Sequence, residues 1–202
     1  MNPLKKSFFT QDTIEVARQL LGCYLIRKIK NNLFLRGKIV ETEAYLGIQD
    51  SCCHSYNGLY TDRTKTMYLE GGHAYIYFTY GMYHCFNIVT AKKQEPEAVL
   101  IRALEPIEGL EIMKKNRKKL DLEQLTNGPG KLCQALDITK NFNGIDLSSS
   151  SDLYIEQGEK VSENDISTDM RIGLSPHKEA CYWPLRFFLN NNEAVSIKKH
   201  LM

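Results

Sequence analysis

What the chain lacks narrows it first. No stretch approaches the length of a membrane span, and the opening residues Met1 to Phe9 hold no apolar run long enough for a signal peptide, so a soluble, cytosolic protein is expected. No internal repeat is visible, and no Gly-x-Gly-x-x-Gly falls in a βαβ setting, which argues against a doubly wound sheet. The six cysteines (Cys23, Cys52, Cys53, Cys85, Cys133, Cys181) have no framework spacing and read as free thiols of a reducing compartment. Cys52-Cys53-His54 has no second Cys/His pair at a usual ligand distance, so no metal site is expected. The formal net charge of +2 is too small to demand a polyanionic partner.

What is present suits one core. With 202 residues and 43% hydrophobic content, residues 1–202 are expected to form a single domain. Charge is uneven: Lys114, Lys115, Arg117, Lys118 and Lys119 form one basic run, with smaller ones at Arg27 to Lys30 and Lys92-Lys93. Each is a binding patch or simply a solvated face.

Asp12 with Glu15 makes a capping box, Ile14, Ala17 and Leu21 share a face, and Gly22 suits the end, so a helix is predicted over about 12–21. Cys23 to Lys30 and Leu33 to Leu46 read as strands joined at Asn31-Asn32. Residues 47–65 are loop-like and carry His54 and Arg63; loops of that length are often functional. His73 to Thr79 and Tyr83 to Thr90 form a hairpin turning at Tyr80-Gly81-Met82. Glu97 to Leu104 is a strand, apolar except for Arg102, and a buried arginine needs a carboxylate. Pro106 is expected to open a helix through about Asn116, with the basic run after it. Asn127-Gly128-Pro129-Gly130-Lys131 starts a third helix, whose N-terminus suits a phosphate, water or a side chain. Residues 139–169 read as a peripheral excursion with one strand, Leu153 to Glu156. Arg171 to Gly173 and Leu185 to Leu189 look strand-like. The expected class is α+β: a mostly antiparallel curved sheet with flanking helices and a protruding hairpin.

The most informative stretch is Gly37 to Gly47. Alternation puts Val40, Thr42, Ala44 and Leu46 on one face and Ile39, Glu41, Glu43 and Tyr45 on the other. Two carboxylates roughly 7 Å apart repel unless one binds a cation, keeps a proton or turns to water, which is how a general base is usually made. The alternative is an exposed strand with a charged solvent face. Tyr75, Tyr77 and Thr79 share a face of the hairpin, which Asn87 can join; stacked tyrosines and an amide suit a flat heteroaromatic ring, or else the tyrosines are core aromatics. Periodicity alone favours core aromatics; eleven tyrosines against one tryptophan, several near carboxylates and an arginine, weaken that reading. A sandwich for a base, beside a carboxylate, is what an enzyme acting on an extruded nucleotide requires.

Gly37 to Gly47, His54-Ser55, Tyr75 to Tyr83, Leu100 to Pro106, Asn127 to Leu132, Arg171 to Gly173 and Pro184 to Phe187 together resemble the alkyladenine (3-methyladenine) DNA glycosylase family, in order along nearly the whole chain. The resemblance implies a single-domain enzyme that excises alkylated or deaminated purines from duplex DNA. It implies no metal or cofactor, no lyase activity, no membrane association and action as a monomer, nucleoid-associated in a bacterium. It further implies that Glu43 activates water for attack on the sugar C1′, with Arg102 and the Ile172 carbonyl holding that water. Tyr45, Tyr77 and His54 would sandwich the base and contact its edge, and Asn87 would stand where the guanine amino group is excluded. Tyr80 would be the wedge, with Met82, Tyr83 and Lys131 also meeting DNA, and Glu41 would be structural. Two departures are Ile48, where relatives often carry proline, and Cys52-Cys53, usually a small pair. The rival readings are a non-catalytic nucleic-acid-binding module and a hydrolase of free nucleosides. A zinc deaminase would need the H-x-E and P-C-x-x-C signature that is lacking here.

Overall fold

The computed structural model describes residues 2–30, 33–79, 81–119 and 121–196, the Glu123 side chain excepted. The Asn31-Asn32 turn and Tyr80 therefore fall outside the described residues. Helix α1 (Lys6–Phe9) precedes α2 (Thr13–Gln19), whose Asp12 cap accepts hydrogen bonds from the Ile14 and Glu15 amides. Strands β1 (Tyr24–Ile29) and β2 (Leu33–Tyr45) follow, then β3 (Ala74–Thr79), β4 (Tyr83–Thr90) and β5 (Glu97–Glu108). Helices α3 (Leu110–Arg117) and α4 (Pro129–Ala135) separate these from β6 (Leu153–Glu156), β7 (Ile166–Asp169) and β8 (Arg186–Leu189). Three short 3-10 turns organise residues 47–68.

Every strand pairing is antiparallel, and the sheet, in the order β3-β4-β5-β2-β1-β6, curls so that β8 also joins β2 and β7. The class is α+β. Strand β2 is the axis of this arrangement: β5 lies along one edge, while β1 takes the first half of the other edge and β8 the second. Glu41 and Glu43 thus lie between two strands and are fully buried, which removes the solvent-face reading. On the opposite face Val40 and Ala44 are buried and the Thr42 hydroxyl donates to the Ala17 carbonyl of α2 at 2.9 Å. Each fully buried Val, Leu or Phe in this layer contributes roughly 1.5–3 kcal/mol of transfer free energy.

Three expectations are corrected. Pro106 does not open a helix; it lies inside β5 opposite Gly37. A proline is tolerated there because β4 pairs only with Glu97 to Leu100, leaving the outer edge of β5 beyond them without a strand among the described residues to receive its missing N–H. The helix begins instead at Leu110, after Gly109, whose φ of +80° suits glycine. Residues 139–169 are not peripheral. They contain a second strand, β7, and β6 extends the sheet at β1, while Leu147, Leu153 and Ile155 enter the core. The Asn143 side chain and the Ile145 carbonyl bond the edge of β3. Finally, Arg171 to Gly173 is a bend rather than a strand, because its polar groups are taken by Glu43 and Asp50 rather than by a neighbouring ladder.

Candidate active site

The site lies where β2, the hairpin, β5 and the 171–173 bend converge. A cavity of about 380 Å³ is walled by Tyr45, His54, Arg63, Tyr75, Tyr77, Asn87, Leu100, Arg102 and Ile172, among others. Glu43 stands one hydrogen bond behind that wall. Its Oε2 accepts from the Tyr45 hydroxyl at 2.8 Å, and its Oε1 accepts from the Ile172 amide at 2.7 Å and lies 3.2 Å from the Arg102 guanidinium. Burial raises the Glu43 carboxyl above its ordinary value; Arg102, the Ile172 amide and Tyr45 oppose that rise, and Glu41 adds to it. A carboxylate that is ionisable yet held closer to neutrality is what general-base work calls for.

Glu41 has a different set of partners. It accepts from Arg102 Nε at 3.2 Å, from Arg186 Nη1 at 2.9 Å, and from the Ser196 amide and hydroxyl at 2.8 and 3.0 Å. Arg102 therefore joins the two carboxylates. Burial works against its charge, but Glu43 and Glu41 more than offset this and hold the guanidinium above its ordinary value. Arg102 also sits where the β2–β5 register shifts twice, between Ile39 and Thr42. Such irregularities re-aim side chains beside functional sites.

The aromatic wall is tilted and partly edge-on rather than stacked. The Tyr75 and Tyr77 rings are 5.6 Å apart and tilted by 39°, and the His54 ring meets Tyr77 at 4.6 Å and 80°. The tilt follows from the pleat and twist of β3, which splay residues i and i+2. His54 Nδ1 lies 2.9 Å from the Tyr75 hydroxyl, and its Nε2 accepts from Arg63 Nη2 at 3.3 Å. Because arginine only donates, the neutral imidazole carries its proton on Nδ1. Burial, with the Arg63 and Lys178 charges behind it, lowers the imidazole to about 4. Asn87 is buried, and its amide nitrogen donates to the Tyr75 and Cys85 carbonyls at 3.1 and 3.4 Å.

Among the described residues, the other expected ones are not part of this cavity's wall; Met82 and Tyr83 line a separate hollow with His84, Asn116 and Gly130. Met82 and Tyr83 flank the hairpin turn, both exposed. Tyr83 packs so closely on α4 that a Cβ on Gly130 would come within 3.0 Å of it, which makes glycine the fitting residue there. Lys131 donates to Asn127 Oδ1 at 2.7 Å, from the first turn of α4. The adjacent residues of Cys52-Cys53-His54 turn to three different partners, Cys181, Ser55 and Tyr75.

Two residues that shape the site carried no assigned role in the sequence. The fully buried Arg171 forms a two-pronged ion pair with the equally buried Asp50, donates to the Ala44 and Ala180 carbonyls, and lies 4.5 Å over the Tyr45 ring. This clamp fixes the bend that delivers the Ile172 amide to Glu43. Arg63 was visible only as a loop residue; its guanidinium lies 5.1 Å over the Tyr77 ring. Arg171 has no local signal, since its partners Asp50 and Ala44 are distant in sequence, and nothing in the pattern of the loop distinguishes Arg63.

Residues 7–193 match the sequence model of the family described as methylpurine-DNA glycosylase. A protein of Clostridium novyi is 47% identical over 98% of this chain and 100% of its own. Proteins of Carboxydothermus hydrogenoformans and Bdellovibrio bacteriovorus are each 47% identical over 96% of this chain and 99% of theirs. All three carry the provisional name 3-methyladenine DNA glycosylase.

Proposed function

The chain belongs to the methylpurine-DNA glycosylase family and is a DNA repair glycosylase for alkylated bases; from that premise we propose that it flips damaged purines out of duplex DNA and hydrolyses the N-glycosidic bond with a water activated by Glu43. The observation that carries this reading is the bonding of Glu43: a buried carboxylate tied to Tyr45, Arg102 and Ile172, three groups that wall the cavity. Glu43 takes a proton from water as its oxygen bonds C1′. The C1′–N bond breaks with its electron pair passing to the base, leaving a free purine and an abasic site. A purine alkylated on nitrogen departs as a neutral molecule, so a dry pocket and an aimed water suffice.

Tyr45, Tyr77 and His54 receive the base in this scheme, and Asn87 crowds the edge that carries an amino group in guanine. Arg102 and Ile172 position the water. Tyr80, Met82, Tyr83 and Lys131 meet the DNA, with Tyr80 filling the gap left by the flipped nucleotide. The enzyme acts as one domain and a monomer, without cofactor or lyase step. The test is incubation with duplexes carrying 3-methyladenine, 7-methylguanine, hypoxanthine or ethenoadenine, followed by alkali. Strand breaks at the lesion are expected after alkali and not before it. Breaks before alkali would reveal a lyase, and activity only on free nucleosides would favour the hydrolase reading.

A further inference from the structure

The cavity wall contains two guanidiniums in unlike electrostatic situations. Arg102 is matched by Glu41 and Glu43. Arg63 has no carboxylate at ion-pair distance among the described residues; its contacts include the His54 imidazole at 3.3 Å, the Tyr77 ring at 5.1 Å and the Tyr75 hydroxyl. We propose that Arg63 is a specificity-determining residue that sets the balance between neutral and cationic purines in this pocket, a proposal that rests on the glycosylase reading.

The physics runs in two parts. Tyr77 offers an electron-rich face that attracts a cation, and Arg63 already occupies that attraction. A purine made cationic by ring alkylation competes with the guanidinium for the ring and is repelled by its charge. A neutral purine incurs no such repulsion. The second part concerns the base edge. The guanidinium has five donors and no acceptor; His54 and the Tyr75 hydroxyl engage part of that set, and the remaining N–H groups are suited to a carbonyl on the purine edge. A deaminated purine carries that carbonyl without a charge. Arg63 is also exposed, on a loop between two 3-10 turns, and can adjust to a ligand without breaking a core contact.

The experiment compares Arg63→Gln and Arg63→Lys with the wild type on duplexes carrying hypoxanthine or 7-methylguanine, reading single-turnover excision and duplex affinity. Arg63→Gln is expected to shift the hypoxanthine to 7-methylguanine rate ratio towards the cationic base by about tenfold, the scale of one partly solvated charge beside the ring. Arg63→Lys keeps the charge and should hold the ratio within about threefold of wild type. Equal losses on both substrates in Arg63→Gln, accompanied by weaker duplex binding, would make Arg63 a phosphate contact and overturn the proposal, as would an unchanged ratio. Wild-type protein that releases neither base would instead overturn the glycosylase reading.

Discussion

Glu41 and Glu43 are two residues apart on one strand, share a face and are equally buried, yet their surroundings divide two tasks between them. Glu43→Gln is expected to lower single-turnover excision by roughly 10²-fold or more, as for loss of a positioned general base. Its raised carboxyl also has a stability consequence. When the folded-state pKa exceeds the unfolded one, the native state binds the proton more tightly, so stability falls as pH rises from the unfolded value through the folded one. Glu43→Gln removes that cost and leaves Arg102 paired with Glu41, so thermal melting at pH 7 should be no lower than in wild type. The acid limb of the wild-type pH–rate profile should lie above the ordinary glutamate range. Glu41→Gln should behave in the opposite way, because it leaves two buried guanidiniums short of charge; a loss of about 3–5 kcal/mol is expected, with a smaller effect on the chemical step. Equal loss of excision in both variants, each still folded, would remove the distinction.

At the scale of elements, the site depends on a bend and a hairpin. The Asp50–Arg171 pair ties the 3-10 turn after β2 to the bend before β8. Asp50→Asn should cost about 3–5 kcal/mol by stranding a buried guanidinium. It should also slow the chemical step more than it weakens duplex binding, since the Ile172 amide loses its support and the residues proposed to meet DNA do not. A loss confined to duplex affinity would count against this. The hairpin makes a different demand. Its strands pair up to Thr79 and Tyr83, beside which Met82 is 67% exposed. Tyr80→Ala is therefore expected to change stability by less than about 0.5 kcal/mol. It should nonetheless reduce excision from duplexes, more for a stably paired lesion than for a mismatched one, because flipping costs a few kcal/mol. A fluorescent base analogue at the lesion would report the flipped population; if flipping and excision are both unchanged, the wedge lies elsewhere on the hairpin.

Over the whole molecule the charge is nearly balanced, so any attraction to DNA must come from its distribution. Lys131 on α4 is lowered by burial and then by Arg117 and Lys119, which places the end of the basic run beside it. The run closes α3, where cations also suit the helix C-terminus. Affinity for undamaged duplex should fall steeply with salt, as counterions are released. Lys131→Gln should weaken binding to all sequences alike and reduce the salt slope by about 1. A slope near zero in the wild type would point to free nucleosides as substrates.

Local pattern in the sequence was enough for whatever depends on near neighbours. Alternation placed Glu43 beside Tyr45 and Tyr75 beside Tyr77, Asp12 marked the start of α2, and the hairpin ran as its β-rich segments indicated. The order of motifs along the chain pointed to the family. Tertiary structure alone decided the rest, because each remaining feature depends on partners far away along the chain. Glu41 and Glu43 are indistinguishable in pattern; pairing with β8 brings Arg186 to one, and the 171–173 bend brings Ile172 to the other. Asp50 and Arg171 are 121 residues apart. Pro106 carries a helix-start signal that strand pairing overrides. Burial then raises the Glu43 carboxyl and lowers the His54 imidazole, and burial is a property of the folded chain rather than of any segment.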